Sequence, residues 1–261
     1  MKILFFGDVV GRPGREILKS GGVGIIKELA PDFVIANGEN AAGGLGLDLG
    51  TASELLGIGI DLLTTGNHIW QRKDLISVLK DPKKPILRPA NFPKECPGAG
   101  HMIFDGPNGL KLGVMNLIAR VFMSQEVDCP FRIADELLKN ELKECSHIFV
   151  DFHGEASSEK MALARYLSGR VSAVVCTHTH VQTADETIIN NETAYITDVG
   201  MCGPSDSIIG VKPEPIIKKF LTSMPQKFEV ATGPAQINAV EIICSDDCLR
   251  ATSIRRIFER F

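Results

Sequence analysis

Five short apolar runs, each followed within a few residues by a polar or ionisable side chain, constrain this chain more than any other feature. The runs are KILFFG (2–7), DFVIAN (32–37), IDLLTT (60–65), HIFVDF (147–152) and SAVVCT (172–177). A strand with one wet face alternates apolar and polar residues, so a nearly continuous apolar run predicts a strand covered on both faces. Further strands are predicted at 111–117, 193–198, 236–244 and 251–259. Helices are predicted at 14–30, opening after Pro13 and weakened by Gly21, Gly22 and Gly24, and at 71–80 and 132–144. A fourth is predicted at 157–168, with Ser157 as N-cap and Met161, Ala164 and Leu167 along one side. Alternating strands and helices, followed by a strand-rich last 70 residues, predict an α/β fold: a two-sheet sandwich flanked by helices. With no repeat and no linker, residues 1–261 read as a single domain.

Polar residues fall where these runs stop. The first delivers Asp8, the second Glu39 and Asn40, the third Asn67 and His68, the fourth His153, and the fifth His178 and His180. Intervening helices keep such strands parallel, which places all five ends on one edge of a sheet, where α/β proteins bind ligands. Within CTHTH (176–180), strand geometry would turn His178 and His180 to the same face. Each residue alone has an ordinary structural reading: Gly66-Asn67 makes a good turn, and a lone His153 is a plain buried imidazole. One hypothesis, a metal site, accounts for all five placements. Carboxylates, amide oxygens and imidazoles without thiolates suit Mn, Fe or Zn, and so many donors exceed what one tetrahedral ion takes. Two adjacent ions point to phosphoester hydrolysis.

Composition narrows the classes. With 44% hydrophobic and 23% charged residues the chain is globular, and a net charge of −4 excludes a nucleic-acid-coating surface. A small anionic substrate remains compatible, because a local metal charge suffices to hold it. The seven cysteines are odd in number and lack a CxxC pair; Cys244 and Cys248 form an unpartnered C-x3-C. They read as reduced thiols of a cytoplasmic protein. The apolar start is cut by Asp8 before a signal-peptide pattern develops, and no window is long enough to span a membrane. The sequence leaves homo-oligomerisation open. Two extended stretches, 81–100 with its five prolines and 199–214, are the candidates for substrate contacts.

At these residues the chain resembles the calcineurin-like metallophosphoesterases. Gly7-Asp8, Gly66-Asn67-His68, His153 and Thr-His-Thr-His (177–180) follow their ordered signature. The stretches GDVVGRPGR, NGENAAGG, TTGNHIW, RPANFP, DFHGEASSEK, THTHVQTAD and ITDVGMCGP are similar to one bacterial branch, the 2′,3′-cyclic nucleotide phosphodiesterases. The resemblance implies two metal ions, with Glu39 bridging, Asp8, His180 and Asn40 holding one, and Asn67, His153 and His178 holding the other. It implies that His68 is the general acid while a metal-bridging hydroxide attacks phosphorus. Val10 stands where the superfamily usually has a histidine, which favours iron or manganese over zinc. Ile69 follows His68 where many relatives have an acidic residue, so a partner orienting His68 must come from elsewhere. A broader phosphomonoesterase or nucleotidase, a regulatory binder of metal and nucleotide, and a structural role for the cluster are the competing readings.

Overall fold

The computed structural model describes residues 1–81, 83–246 and 249–261; Pro82 of the proline-rich stretch and Cys248 of the C-x3-C pair lie outside them. The chain begins with β1 (Lys2–Phe6), β2 (Asp8–Val9), α1 (Gly11–Ile17), a π-helical stretch at Leu18–Gly22 and α2 (Val23–Leu29). It continues through β3 (Phe33–Asn37), α3 (Leu49–Leu56), β4 (Leu62–Thr64), α4 (Lys73–Leu79), β5 (His101–Asp105) and β6 (Lys111–Ile118). Next come α5 (Pro130–Lys139), β7 (His147–His153), α6 (Ser157–Leu167), β8 (Ala173–Thr177), β9 (Thr187–Ile189) and β10 (Thr193–Ile196). The last elements are β11 (Met201–Pro204), α7 (Pro213–Thr222), β12 (Ala235–Cys244) and β13 (Ala251–Arg260).

The strands form two mixed sheets, ordered β2-β11-β12-β1-β3-β4 with β13 beside β12, and β5-β6-β7-β8-β10-β9. The runs that became β1, β3 and β4 pair in parallel in the first sheet, and those that became β7 and β8 pair in parallel in the second. The expectation of a single sheet edge is therefore corrected. Five parallel strands are divided between two sheets, and their carboxyl ends meet at one end of the sandwich.

The continuous apolar runs follow from this layering. Along β1, Ile3 and Phe5 pack between the sheets, where Phe5 meets Phe149 of β7 at 5.3 Å between ring centroids. Leu4 and Phe6 face outward and pack on Ile17, Leu18 and Ile25 of the first helical stretch. On the other side, Val150, Phe152 and Val174 pack under Ala134, Leu163 and Leu167 of α5 and α6. Every residue of β7 is buried because both faces are covered.

Several boundaries differ from the sequence expectation. The first helix starts at Gly11, ahead of Pro13, and its glycines fall at and beside the π-helical stretch. The helix expected at 132–144 starts two residues earlier, with Pro130 in its first turn, and stops at Lys139. Ser157 is the first residue of α6, not its N-cap, and Ala156 at the cap makes no side-chain bond. Met161 points to solvent, while Lys160, Leu163, Ala164 and Leu167 face inward. Elements α3, α7, β5, β9 and β11 have no counterpart in the sequence expectation. Strands β9 and β11 are short, and α3 announces itself only by the reciprocal cap of Asp48 and Thr51. Among the described residues no helix is long and apolar enough to cross a membrane, and all six described cysteines are free.

Candidate metal and active site

Each predicted site residue lies at or just beyond a strand end. Asp8 opens β2, His153 ends β7, and Glu39, Asn40, Asn67 and His68 sit in the loops after β3 and β4. All eight are brought together. Strand β8 stops at Thr177, so His178 and His180 are not a same-face strand pair as expected. Both have left-handed backbone, with φ of 107° and 64°. Such φ values cost about 1–3 kcal/mol per residue and persist only where surrounding structure holds them. This turn sends the two imidazoles to different parts of the cluster.

The first part centres on His153. Its Nε2 lies 3.1 Å from Glu39 Oε1, 2.9 Å from Asn67 Oδ1 and 3.0 Å from His178 Nδ1. Its Nδ1–H donates to Thr177 Oγ1 (2.9 Å), which donates in turn to Asp151 Oδ1 (2.8 Å). That chain of bonds fixes the ring and turns Nε2 to the cluster. The second part centres on Asp8. Its Oδ2 accepts the His178 backbone N–H at 3.1 Å, while its Oδ1 is fully buried, has no hydrogen-bond partner and lies 3.7 Å from His180 Nε2. His180 donates from Nδ1 to the Ile209 carbonyl (2.8 Å), leaving Nε2 to accept from Asn40 Nδ2 (3.1 Å).

Charge is tightly coupled here. Burial opposes ionisation of Glu39, but the charge of His153 and hydrogen bonds from His153 and His68 outweigh it and hold the carboxyl well below its ordinary range. Burial likewise opposes charge on His153, and Glu39 outweighs it in the other direction. His178 is pushed down to about 3 by burial and by the charge of His153, and burial raises Asp8.

The donor set fits a cation. A single proton on His153 Nε2 satisfies only one of the three acceptors crowded around it, whereas a cation satisfies them together. Donor atoms of Glu39, His153 and His178 all lie within 4.8 Å of one another. Gly66 leaves the room: a Cβ there would sit 2.2 Å from His153 Cδ2 and 2.4 Å from Glu39 Oε2. The unpartnered Asp8 oxygen beside His180 is a second such invitation.

His68 stands apart from these donors. Its Nδ1–H donates to Asn40 Oδ1 at 3.0 Å and lies 3.4 Å from Glu39 Oε1, and its backbone N–H donates to Glu39 Oε2 at 3.2 Å. The orienting partner that Ile69 cannot supply is thus Asn40, aided by Glu39. Beside the cluster opens a cavity of about 600 Å³ lined by His68, His178, His180 and the apolar Ile209, Val211 and Phe228. Of the two stretches expected to contact substrate, 199–214 contributes to this lining. The described residues of 81–100 do not; Pro85 and Leu87 lie along β4, where the Leu63 N–H donates to the Pro85 carbonyl and the Leu87 N–H to the Leu63 carbonyl.

Sequence reasoning passed over several residues. Asp151 sits inside an apolar run, itself a signal, since a carboxylate there must be satisfied internally. It also accepts from Asn37 and Thr64 of the opposite sheet. Glu155 carries no comparable signal; its Oε2 lies 3.2 Å from His178 Nε2.

Two mixed sheets packed face to face, helices outside, and a carboxylate–imidazole cluster at the strand ends define a metallophosphoesterase-like fold. Within that class the chain belongs to the family described as YmdB-like protein, which matches residues 4–257. A Bacillus subtilis (strain 168) protein named 2′,3′-cyclic-nucleotide 2′-phosphodiesterase is 47% identical over 257 residues, covering 98% of this chain and 96% of that protein. The crystal structure of a hypothetical protein from Thermus thermophilus superposes with a TM-score of 0.93 at 41% identity, covering 100% of this chain and 99% of the other. That of a novel phosphatase from Mycoplasma pneumoniae gives 0.94 at 34% identity, covering 100% and 93%.

Proposed function

We propose that this chain is a binuclear metal-dependent phosphodiesterase that hydrolyses 2′,3′-cyclic nucleotides such as 2′,3′-cAMP. The observation that carries the reading is the crowding of three acceptors around His153 Nε2 beside the unpartnered Asp8 oxygen, in a chain 47% identical to a protein of that name. Asp8, His180 and Asn40 would hold one ion, Asn67, His153 and His178 the other, and Glu39 would serve both. Bound cations, of iron or manganese type, would supply Lewis-acid activation of the phosphoryl group and of the attacking water. The chain's own part is protonation and charge. Asn40 and Glu39 hold His68 by Nδ1, leaving Nε2 free to give a proton to the leaving ester oxygen.

The cavity charge favours a diester over a monoester. Its described lining includes Glu39, Glu155 and Glu229 and no Lys or Arg, although Lys212 pairs with Glu229 at 2.7 Å. A monoanionic diester meets less repulsion there than a dianionic monoester. The test is turnover of 2′,3′-cAMP by purified protein with added Mn²⁺, alongside its metal content. Absence of turnover with every cyclic and linear diester tried overturns the reading. His68→Ala is expected to keep bound metal and lower kcat by about 10²–10⁴-fold, the usual contribution of a positioned acid. An unchanged kcat removes His68 from the chemistry.

A further inference from the structure

The cavity wall beside His180 contains a backbone anomaly. Ile208 and Val211 exchange hydrogen bonds of 2.9 and 3.0 Å around Ile209 and Gly210, whose φ values are 48° and 96°. Two positive φ values in a two-residue loop are the pattern of a type I′ turn, whose first central position suits Asn, Asp or Gly. Ile209 is β-branched, so it is strained there. It is also 47% exposed, so burial does not explain its presence. Its carbonyl holds His180, but any residue would supply a carbonyl. What isoleucine adds is a side chain, and that side chain lines the cavity.

A second segment completes the wall. The Lys212 N–H donates to the Glu229 carbonyl (2.9 Å), and the Ala231 N–H to the Gly210 carbonyl (3.0 Å). Ile209 and Val211 from the first segment and Phe228, Glu229 and Val230 from the second all line the cavity. Phe228 is 44% exposed, with the Lys219 ammonium 5.1 Å from its ring centroid, over one face of the ring. A half-exposed aromatic ring and an aliphatic side chain on a strained turn, carried on paired segments next to a polar cluster, suit a flat uncharged ring joined to a phosphoester.

Resting on the phosphodiesterase reading, we infer that this ladder is the nucleobase subsite, in which the base stacks on Phe228 and packs against Ile209. Phe228 and Ile209 are substrate-positioning residues, and they set the preference for nucleotides over base-free esters. The test compares 2′,3′-cAMP with glycerol 1,2-cyclic phosphate, a cyclic diester without a base. Phe228→Ala is expected to raise KM for the nucleotide about tenfold, within the range for losing one stacking partner, with a smaller effect on kcat. The ratio of kcat/KM between nucleotide and base-free ester should fall by a similar factor. Ile209→Asn should raise Tm by relieving the turn and yet raise KM for the nucleotide, a combination that a purely structural residue does not give. Equal losses on both esters, or an unchanged KM, overturn the subsite. If the wild type hydrolyses neither ester, the functional reading fails, and titration with adenosine then decides the subsite. Binding to wild type that Phe228→Ala weakens retains the subsite, and no binding rejects it.

Discussion

Two buried polar clusters lie side by side at the carboxyl ends of the strands, and they are built on opposite rules. In one, Lys160 of α6 donates to Asp198 at 2.9 Å with both side chains fully buried. Asp198 is saturated: its Oδ2 also accepts the Thr179 N–H at 2.9 Å, and its Oδ1 accepts the Gly200 N–H at 2.8 Å. In the other, Asp8 has an oxygen with no partner and His153 has more acceptors than protons. A carboxylate that has a cation and a partner on each oxygen is already held by the chain and acts as structure. An unsaturated cluster keeps its capacity for a ligand, and the protein tolerates the cost of burying it. The saturated pair also serves the other: through Thr179 it anchors the turn that carries His178 and His180.

The contrast breaks most sharply with Asp8→Asn. Turnover of 2′,3′-cAMP should fall to background and metal content should drop, while thermal stability in chelator should hold or rise, because a buried carboxylate with an unpartnered oxygen is gone. Wild-type metal content and rate would overturn the assignment of Asp8. Lys160→Met should do the reverse and destabilise the fold by about 3–5 kcal/mol in denaturant titration, since it leaves Asp198 buried without its cation. A stability change within about 0.5 kcal/mol, as at ordinary surface sites, would show that the pair is not the anchor we describe.

The difference between the clusters also explains what the sequence makes legible. Polar residues immediately after apolar runs, such as Asp8, Glu39 and His178, stand out because strand ends are visible in one dimension. The division of the five strands between two sheets is not, since helical connections keep strands parallel within either. Lys160 looks like the solvated position of an amphipathic helix, and only the fold shows that it faces Asp198. Asp198 itself closes the predicted strand 193–198 in the same way as the site residues close theirs. Its partner is what separates it from them. The left-handed turn at His178 leaves no mark either, because histidine carries no turn signal of the kind glycine and asparagine do, and at 209–210 Gly210 marks a turn without showing that Ile209 shares its positive φ.

The smallest predicted effect concerns the boundary between the two kinds of cluster. Thr177 stands between unsaturated His153 and hydrogen-bonded Asp151: its hydroxyl accepts from His153 Nδ1 and donates to Asp151, whose own carboxylate is raised to about 6 by burial despite hydrogen bonds from Thr64 and Thr177. Thr177→Val keeps shape and strand preference but removes the hydroxyl, so His153 loses the contact that orients it. Metal affinity, read by Mn²⁺ titration, should fall about 10–100-fold, as for other changes behind a metal ligand. Thr177→Ser should restore it, because the oxygen returns while the methyl does not. If Thr177→Val binds Mn²⁺ like the wild type, the Thr177–Asp151 chain is not tuning His153. It is then a structural tie between the sheets, joining Asp151 of β7 to Asn37 of β3 and Thr64 of β4.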